Sequence, residues 1–182
     1  MDIDVKARLT SDEFIAWAIE QPETRHYELH DGEIVNMAAE RSEHGLVKGN
    51  IFAELRNALK QAGLPCWVYI DSMAVEAGTD SVFEPDVVVR YGERLGKDIL
   101  KITDPVIVVE VLSPSTRGRD YTTKLAGYLQ IPSLRHYLIV DTDDRRVIHH
   151  LREENGRALT TIHGDQPITL DPPGIVLENI FV

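Results

Sequence analysis

A single cysteine, Cys66, stands in 182 residues. Its isolation rules out an intramolecular disulfide and any zinc site built from a cysteine cluster. Long apolar runs are missing too, and no stretch approaches the roughly 20 residues a helix needs to cross a bilayer, so no membrane partner is expected. The opening MDIDVKARLT carries Asp2 and Asp4 and no apolar segment, unlike a secretory signal. Together these absences lead to the expectation of a reduced, cytoplasmic protein. Basic residues are outnumbered, 19 Lys and Arg against 30 Asp and Glu, for a formal net charge of -11. A sequence-independent grip on nucleic acid needs positive surface, which the chain as a whole lacks. Nucleic acid is not thereby excluded, because a divalent metal brings its own charge to a site. The balance also reverses locally in SPSTRGRDYTTK, where Arg117, Arg119 and Lys124 stand against Asp120 alone. There is no glycine-rich phosphate loop, internal repeat, low-complexity segment or long linker.

What is present is ordinary for a globular chain, 43% hydrophobic and 27% charged. The simplest organisation is one domain over residues 1–182, with a flexible stretch at about 1–9. TSDEFIAWAIE predicts a short helix capped by Thr10 or Ser11. In RHYELHDGEIVNMA, Asp31-Gly32 between two alternating runs signals a hairpin, pairing Glu28 with Val35 and His30 with Glu33. Tyr27 and Leu29 then face one way, Glu28 and His30 the other. SEHGLVKGNIFAELRNALKQAG has apolar residues at helical spacing from Val47 to Ala62, Ser42 to cap it and Gly63 to stop it. CWVYID, MAVEAG, SVFEPDVVVRYG (broken early by Pro85) and PVIVVEVL read as strands, with residues 93–103 a polar connection. Residues 119–131 read as helical through Tyr121, Leu125, Tyr128 and Leu129, and RHYLIVDTDDRRVIHHLRE as strand, turn, strand. ALTTIHG and GIVLENIFV add short strands. This order is that of an α/β (α+β) protein with a mixed sheet, not a doubly wound one.

The central strand holds one anomaly. Val106 to Leu112 is apolar except for Glu110. A glutamate is almost never fully buried without a partner, so something must compensate it. On spacing alone, a structural ion pair with Arg or Lys accounts for it as well as a metal ligand or an acid/base group does. Asp86 sharpens the question, because it too stands beside a run of valines, Val87 to Val89. Two central strands, each with one inward carboxylate, bring like charges side by side, and these repel unless a cation lies between them. Such oxygen donors suit Mg²⁺ or Mn²⁺. Asp120, Lys124 and Tyr128 fall on one helical stripe, from which Lys124 can reach the carboxylates to orient a water or offset developing negative charge.

Asp, Glu and Lys in this order resemble the PD-(D/E)XK nuclease superfamily, with Pro85-Asp86 as the PD and Glu110 as the acid. The usual lysine two residues after the acid is replaced by Leu112. The wider pattern is similar to a bacterial family described as putative restriction endonucleases. It runs through Tyr27–Glu33, Pro85–Val89, Val108–Thr116, Asp120–Tyr128 and Tyr137–Asp141, nearly the whole chain. In that family the lysine has moved to the helix, which gives its role to Lys124. The resemblance implies a restriction-endonuclease-like core, a mixed central sheet flanked by helices with an N-terminal β-hairpin. It further implies a Mg²⁺- or Mn²⁺-dependent endonuclease acting on nucleic acid, with DNA as substrate, working as a homodimer because duplex cleavage needs two sites. Asp86 and Glu110 would hold the metal with the Val111 carbonyl, Lys124 would act on the attacking water, Glu28 would be an extra acid, and His44 and Tyr128 accessory contacts. Replacing Lys124 with Ala is expected to abolish cleavage and spare the fold. A different class stays open beside this one: a nuclease-fold binding or assembly module without turnover, suggested by the acidic charge and the short chain.

Other signals point elsewhere. His149 and His150 are adjacent on a strand, so they face opposite sides and cannot share one ion. Asp141 to Asp144 reads as a turn, Ser113, Ser115 and Thr116 as turn or capping residues, Arg117 and Arg119 as solvated loop charges, and Cys66 as buried packing.

Overall fold

A computed structural model describes residues 8–22, 25–37, 39, 41–71, 73–112, 118 and 120–181, without the side chains of Asp120 and Tyr121. The expectation for the first residues therefore lies outside the description for 1–7, as do those for Ser113, Ser115, Thr116, Arg117 and Arg119.

Helix α1 (Ser11–Ile19) starts at a reciprocal capping box: Glu13 N–H donates to the Thr10 hydroxyl at 3.3 Å, and Thr10 N–H donates to Glu13 Oε2 at 2.8 Å. Strands β1 (Tyr27–His30) and β2 (Glu33–Asn36) form the expected hairpin, with Glu28 opposite Val35 and His30 opposite Glu33. Its turn needs φ of 49° at Asp31 and 80° at Gly32, the left-handed pair that aspartate and glycine tolerate. Helix α2 (Ser42–Gln61) stops, as anticipated, beside Gly63 at φ 65°. Its start differs from expectation: Ser42 is already helical, and Arg41 is the N-cap without a side-chain hydrogen bond.

Strands β3 (Cys66–Ile70), β4 (Ala74–Glu76), β5 (Val82–Phe83) and β6 (Val87–Tyr91) follow. The stretch around Pro85 is thus two strands, not one. The proline cannot donate to a ladder, and the chain uses Glu84 to Asp86 to pass from one sheet to the other. The polar connection hides a short strand, β7 (Lys101–Ile102), pinned by the burial of Ile102 and by Lys101 pairing with Asp12 and Glu76. Strand β8 (Pro105–Val111) leads to a π-helical turn (Asp120–Lys124) that runs into α3 (Leu125–Gln130). Strands β9 (His136–Asp141), β10 (Arg146–Arg152), β11 (Ala158–His163), β12 (Ile168–Leu170) and β13 (Ile175–Leu177) complete the chain. Of these β12 has no counterpart in the sequence reading.

The central sheet runs β11-β10-β9-β8-β6-β3, with only β8 and β9 parallel. A second sheet runs β2-β1-β5-β4-β7, and β12 pairs with β13. Both faces of β6 and β8 are covered, which is why they read as continuous valine runs. Val87, Val89, Ile107, Val109 and Val111 pack against Val47, Ile51, Leu55 and Leu59 of α2 and against the β12–β13 hairpin. Val88, Val108 and Leu112 pack on the other side with Phe83, Tyr128, Leu134 and Tyr137. Gly127 allows α3 to lie close on Phe83, since a Cβ there would fall 2.7 Å from the ring. Among the described residues no helix is long and apolar enough to cross a membrane.

Candidate active site

The register Val87↔Val109, carried one residue further, sets Asp86 opposite Glu110 at the end of the two central strands. Both are buried, at 7% and 4% exposure, which confirms that each carboxylate needs a partner. Each has several.

Around Glu110, Lys124 Nζ lies 3.0 Å from Oε1 and the Tyr128 hydroxyl donates to the same oxygen at 2.7 Å. Lys124 is itself 1% exposed and lies 2.8 Å from Glu28 Oε1. Glu28 projects from the hairpin on the face predicted for it. The hairpin is docked so that this face is interior, and Glu28 is buried rather than solvated. It also contacts His30 Nε2 at 2.8 Å and accepts the Glu84 N–H at 3.0 Å. Burial pushes the Glu28 carboxyl up, but the charge of Lys124 and the bonds from His30 and Lys124 outweigh it and hold the group below its ordinary value. Tyr128 goes the other way: burial and the neighbouring Glu110 charge raise its hydroxyl well above the usual range, so it stays a neutral donor. Burial likewise raises Glu84, against the opposing effect of His26 at 3.0 Å.

Around Asp86, His44 Nε2 contacts Oδ1 at 2.8 Å, Lys48 Nζ lies 3.2 Å from the same atom, and Val111 N–H donates to Oδ2 at 2.6 Å. Lys48 also reaches Asp71 at 2.6 Å. Burial raises the Asp86 carboxyl; His44, the Val111 N–H and Lys48 together outweigh it and keep it ionised below the ordinary range.

Two networks therefore meet at the end of β8: Glu28, Glu110, Lys124 and Tyr128 on one side, Asp86 and His44 on the other, joined through Val111. Of the candidate site residues, Asp86, Glu110, Lys124, Glu28, His44 and Tyr128 each lie in one of them, and Val111 joins them through its N–H. Tyr128 is both core and contact, with its ring among Phe83 and Tyr137. Sequence reasoning missed Lys48, Asp71, His30 and Glu84. Lys48 was detectable, being one turn beyond His44 and flanked by the buried Val47 and Ile51. Asp71 and Glu84 gave no signal, because only the tertiary contacts bring them in. The pair His149 and His150 does split across the sheet: His149 contacts His136 at 2.8 Å, and His150 contacts Thr160 Oγ1 at 2.8 Å.

The donor chemistry at the strand ends suits a hard divalent cation, because Asp86 and Glu110 offer buried carboxylate oxygens at opposed positions. Protein cations already compensate both groups, and among the described residues no cluster of three acidic, histidine or cysteine side chains converges as a metal cage. A cation here would exchange with ammonium groups and keep waters or substrate oxygens in its shell, the habit of Mg²⁺.

Comparison with known proteins bears on the family and the fold. Residues 11–178 match the model of the Uma2 family, described as "Putative restriction endonuclease". Two Synechocystis sp. proteins, both titled uncharacterized, are similar. The one called slr1290 is 28% identical over 150 residues, 82% of this chain and 77% of its own. The one called sll1609 is 30% identical over 145 residues, 78% and 81% respectively. The crystal structure of a putative nuclease belonging to DUF820 from Anabaena variabilis superposes with a TM-score of 0.72 over 90% of each chain at 17% identity, a likeness of fold.

Proposed function

Because the chain belongs to the Uma2 family of restriction-endonuclease-like proteins, we propose that it is a metal-dependent endonuclease that hydrolyses phosphodiester bonds in DNA. The observation that carries this reading is the buried Lys124 ammonium 3.0 Å from Glu110, on the strand beside Asp86. Mg²⁺ or Mn²⁺, held by Asp86 and Glu110 with the Val111 carbonyl, would supply Lewis acidity to the phosphoryl oxygens and a more acidic water. The chain's own residues do the rest. Lys124 orients the water that attacks phosphorus and offsets the charge that develops as the P–O bond to the leaving strand breaks. Glu28 steadies Lys124 from the hairpin side. Tyr128 fixes the rotamer of Glu110 through Oε1, and His44 holds Oδ1 of Asp86, leaving each carboxylate in one orientation. Duplex cleavage needs two such sites, and a homodimer supplies them.

The first test needs no substrate. Calorimetric titration of Mn²⁺ into the wild type should show binding that Asp86→Asn loses. Supercoiled plasmid should then be nicked with Mg²⁺ and spared with chelator. Binding equal in wild type and Asp86→Asn removes the metal assignment.

The compensation of both carboxylates by Lys48, His44 and Lys124 favours a second reading, a nuclease-fold module that binds DNA without turnover. Salt-dependent DNA affinity with no metal-dependent product identifies that case.

A further inference from the structure

Among the described residues, the edges of the two larger sheets are protected, with one exception. Strand β2 carries Glu33, β7 is two residues long and held by Lys101, and β3 is mostly half-buried with Arg94 lying 5.7 Å over Trp67. Strand β11, the far edge of the central sheet, has none of these devices. Ala158 to Ile162 are all exposed, none is charged, and Leu159 and Ile162 stand 54% and 62% open. An uncharged, β-branched edge of this length presents unpaired N–H and C=O groups as a template for another strand.

We propose that this edge pairs antiparallel with β11 of a second copy, extending the sheet across a two-fold axis. Such an axis is perpendicular to the sheet, so facing residues must point to the same side and the centre must fall on a residue. Two registers centre on the threonines. With Thr160 on the axis, Arg157 faces His163 of the second copy. With Thr161 on the axis, Arg157 faces Asp165 of the second copy, twice by symmetry, while Thr160 faces Ile162. Both charged groups are exposed and flank the strand, Arg157 one residue before it and Asp165 two residues after it, where Asp165 also holds Arg145 at 2.6 Å. Charge complementarity selects the Thr161 register. A six-residue edge is a small interface beside the about 1,600 Å² of a stable one, so the dimer dissociates on dilution.

Sedimentation of the full chain over a concentration series tests this without metal or DNA, so its outcome is separable from the nuclease reading. Wild type should pass from monomer to dimer. Thr161→Lys, which sets two ammonium groups across the axis, should stay monomeric with unchanged thermal unfolding. In a Cys66→Ala background, Thr161→Cys should form a disulfide-linked dimer on oxidation and Thr160→Cys should not. Wild type monomeric at every concentration overturns the proposal. So does a dimer that survives Thr161→Lys and leaves Thr161→Cys unlinked, and cross-linking through Thr160→Cys alone overturns the register.

Discussion

The Lys124 ammonium lies 3.0 Å from Glu110, and the same nitrogen reaches Glu28 at 2.8 Å, so one buried cation neutralises carboxylates from two different sheets. That arrangement changes what removing it means. A lysine reaching in from solvent could be lost at no cost to the fold. This one cannot.

Lys124→Ala should abolish cleavage and also destabilise the protein, by about 3–5 kcal/mol in urea unfolding, because two buried carboxylates lose their counter-charge. The stability loss should shrink as the pH is lowered and the stranded carboxyls take up protons. An equally stable, inactive variant would show that Lys124 is not the compensating charge.

Tyr128→Phe removes the hydroxyl that donates to Glu110 at 2.7 Å and leaves the packed ring. A loss of about 1.5–3 kcal/mol is expected, the range for a hydrogen bond to a charged group. Combined with Glu110→Gln, the two effects should be markedly non-additive in a double-mutant cycle.

Gly127→Ala should disturb the site from a distance. The added Cβ would fall 2.7 Å and 3.0 Å from two atoms of the Phe83 ring, so α3 must shift and carry Tyr128 with it. Overpacking of this kind costs about 1–3 kcal/mol. Turnover of plasmid should fall, and Phe83→Leu in the same chain should restore it by making room.

Acid should weaken the fold through a buried histidine as well as through carboxylates. Burial, with the charges of His136, His163 and His150, lowers the His149 imidazole to about 4. Its folded pKa lies below the unfolded value, so the unfolded chain binds the extra proton, and stability is lost as pH falls from about 6.5 toward 4. The residue is only 7% exposed, and the loss should be on the order of 3 kcal/mol. His149→Leu should flatten urea midpoints across that window; an unchanged slope would assign the acid sensitivity to other groups.

Much of this was legible in the residues because the relevant signals are local. Asp31-Gly32 dictated the hairpin and its register, and with them the face that Glu28 and His30 share. Valine runs marked β6 and β8 as buried on both sides, which made Asp86 and Glu110 conspicuous. The failures are just as physical. Whether Glu28 meets solvent or Lys124 depends on how the hairpin sheet docks, and no periodicity within β1 records that. Strand β7 is too short to show a pattern; it exists because Ile102 is buried and Lys101 finds acids on other elements. Helical spacing was right to bring Lys124 and Tyr128 to one carboxylate, although the turn that ends at Lys124 is π-helical and wider than the spacing assumed.

Glu28 comes early in the chain and Tyr128 late, and the hairpin must be closed against the segment after β8 before either finds its partner. At a synthesis rate of about 5–20 residues per second, a nascent chain spends many seconds with these groups hydrated and apart. Long-range closure of this kind is a late step in folding, paid in loop entropy. A prematurely ended chain, or one still on the ribosome, therefore carries the right residues and no assembled chemistry.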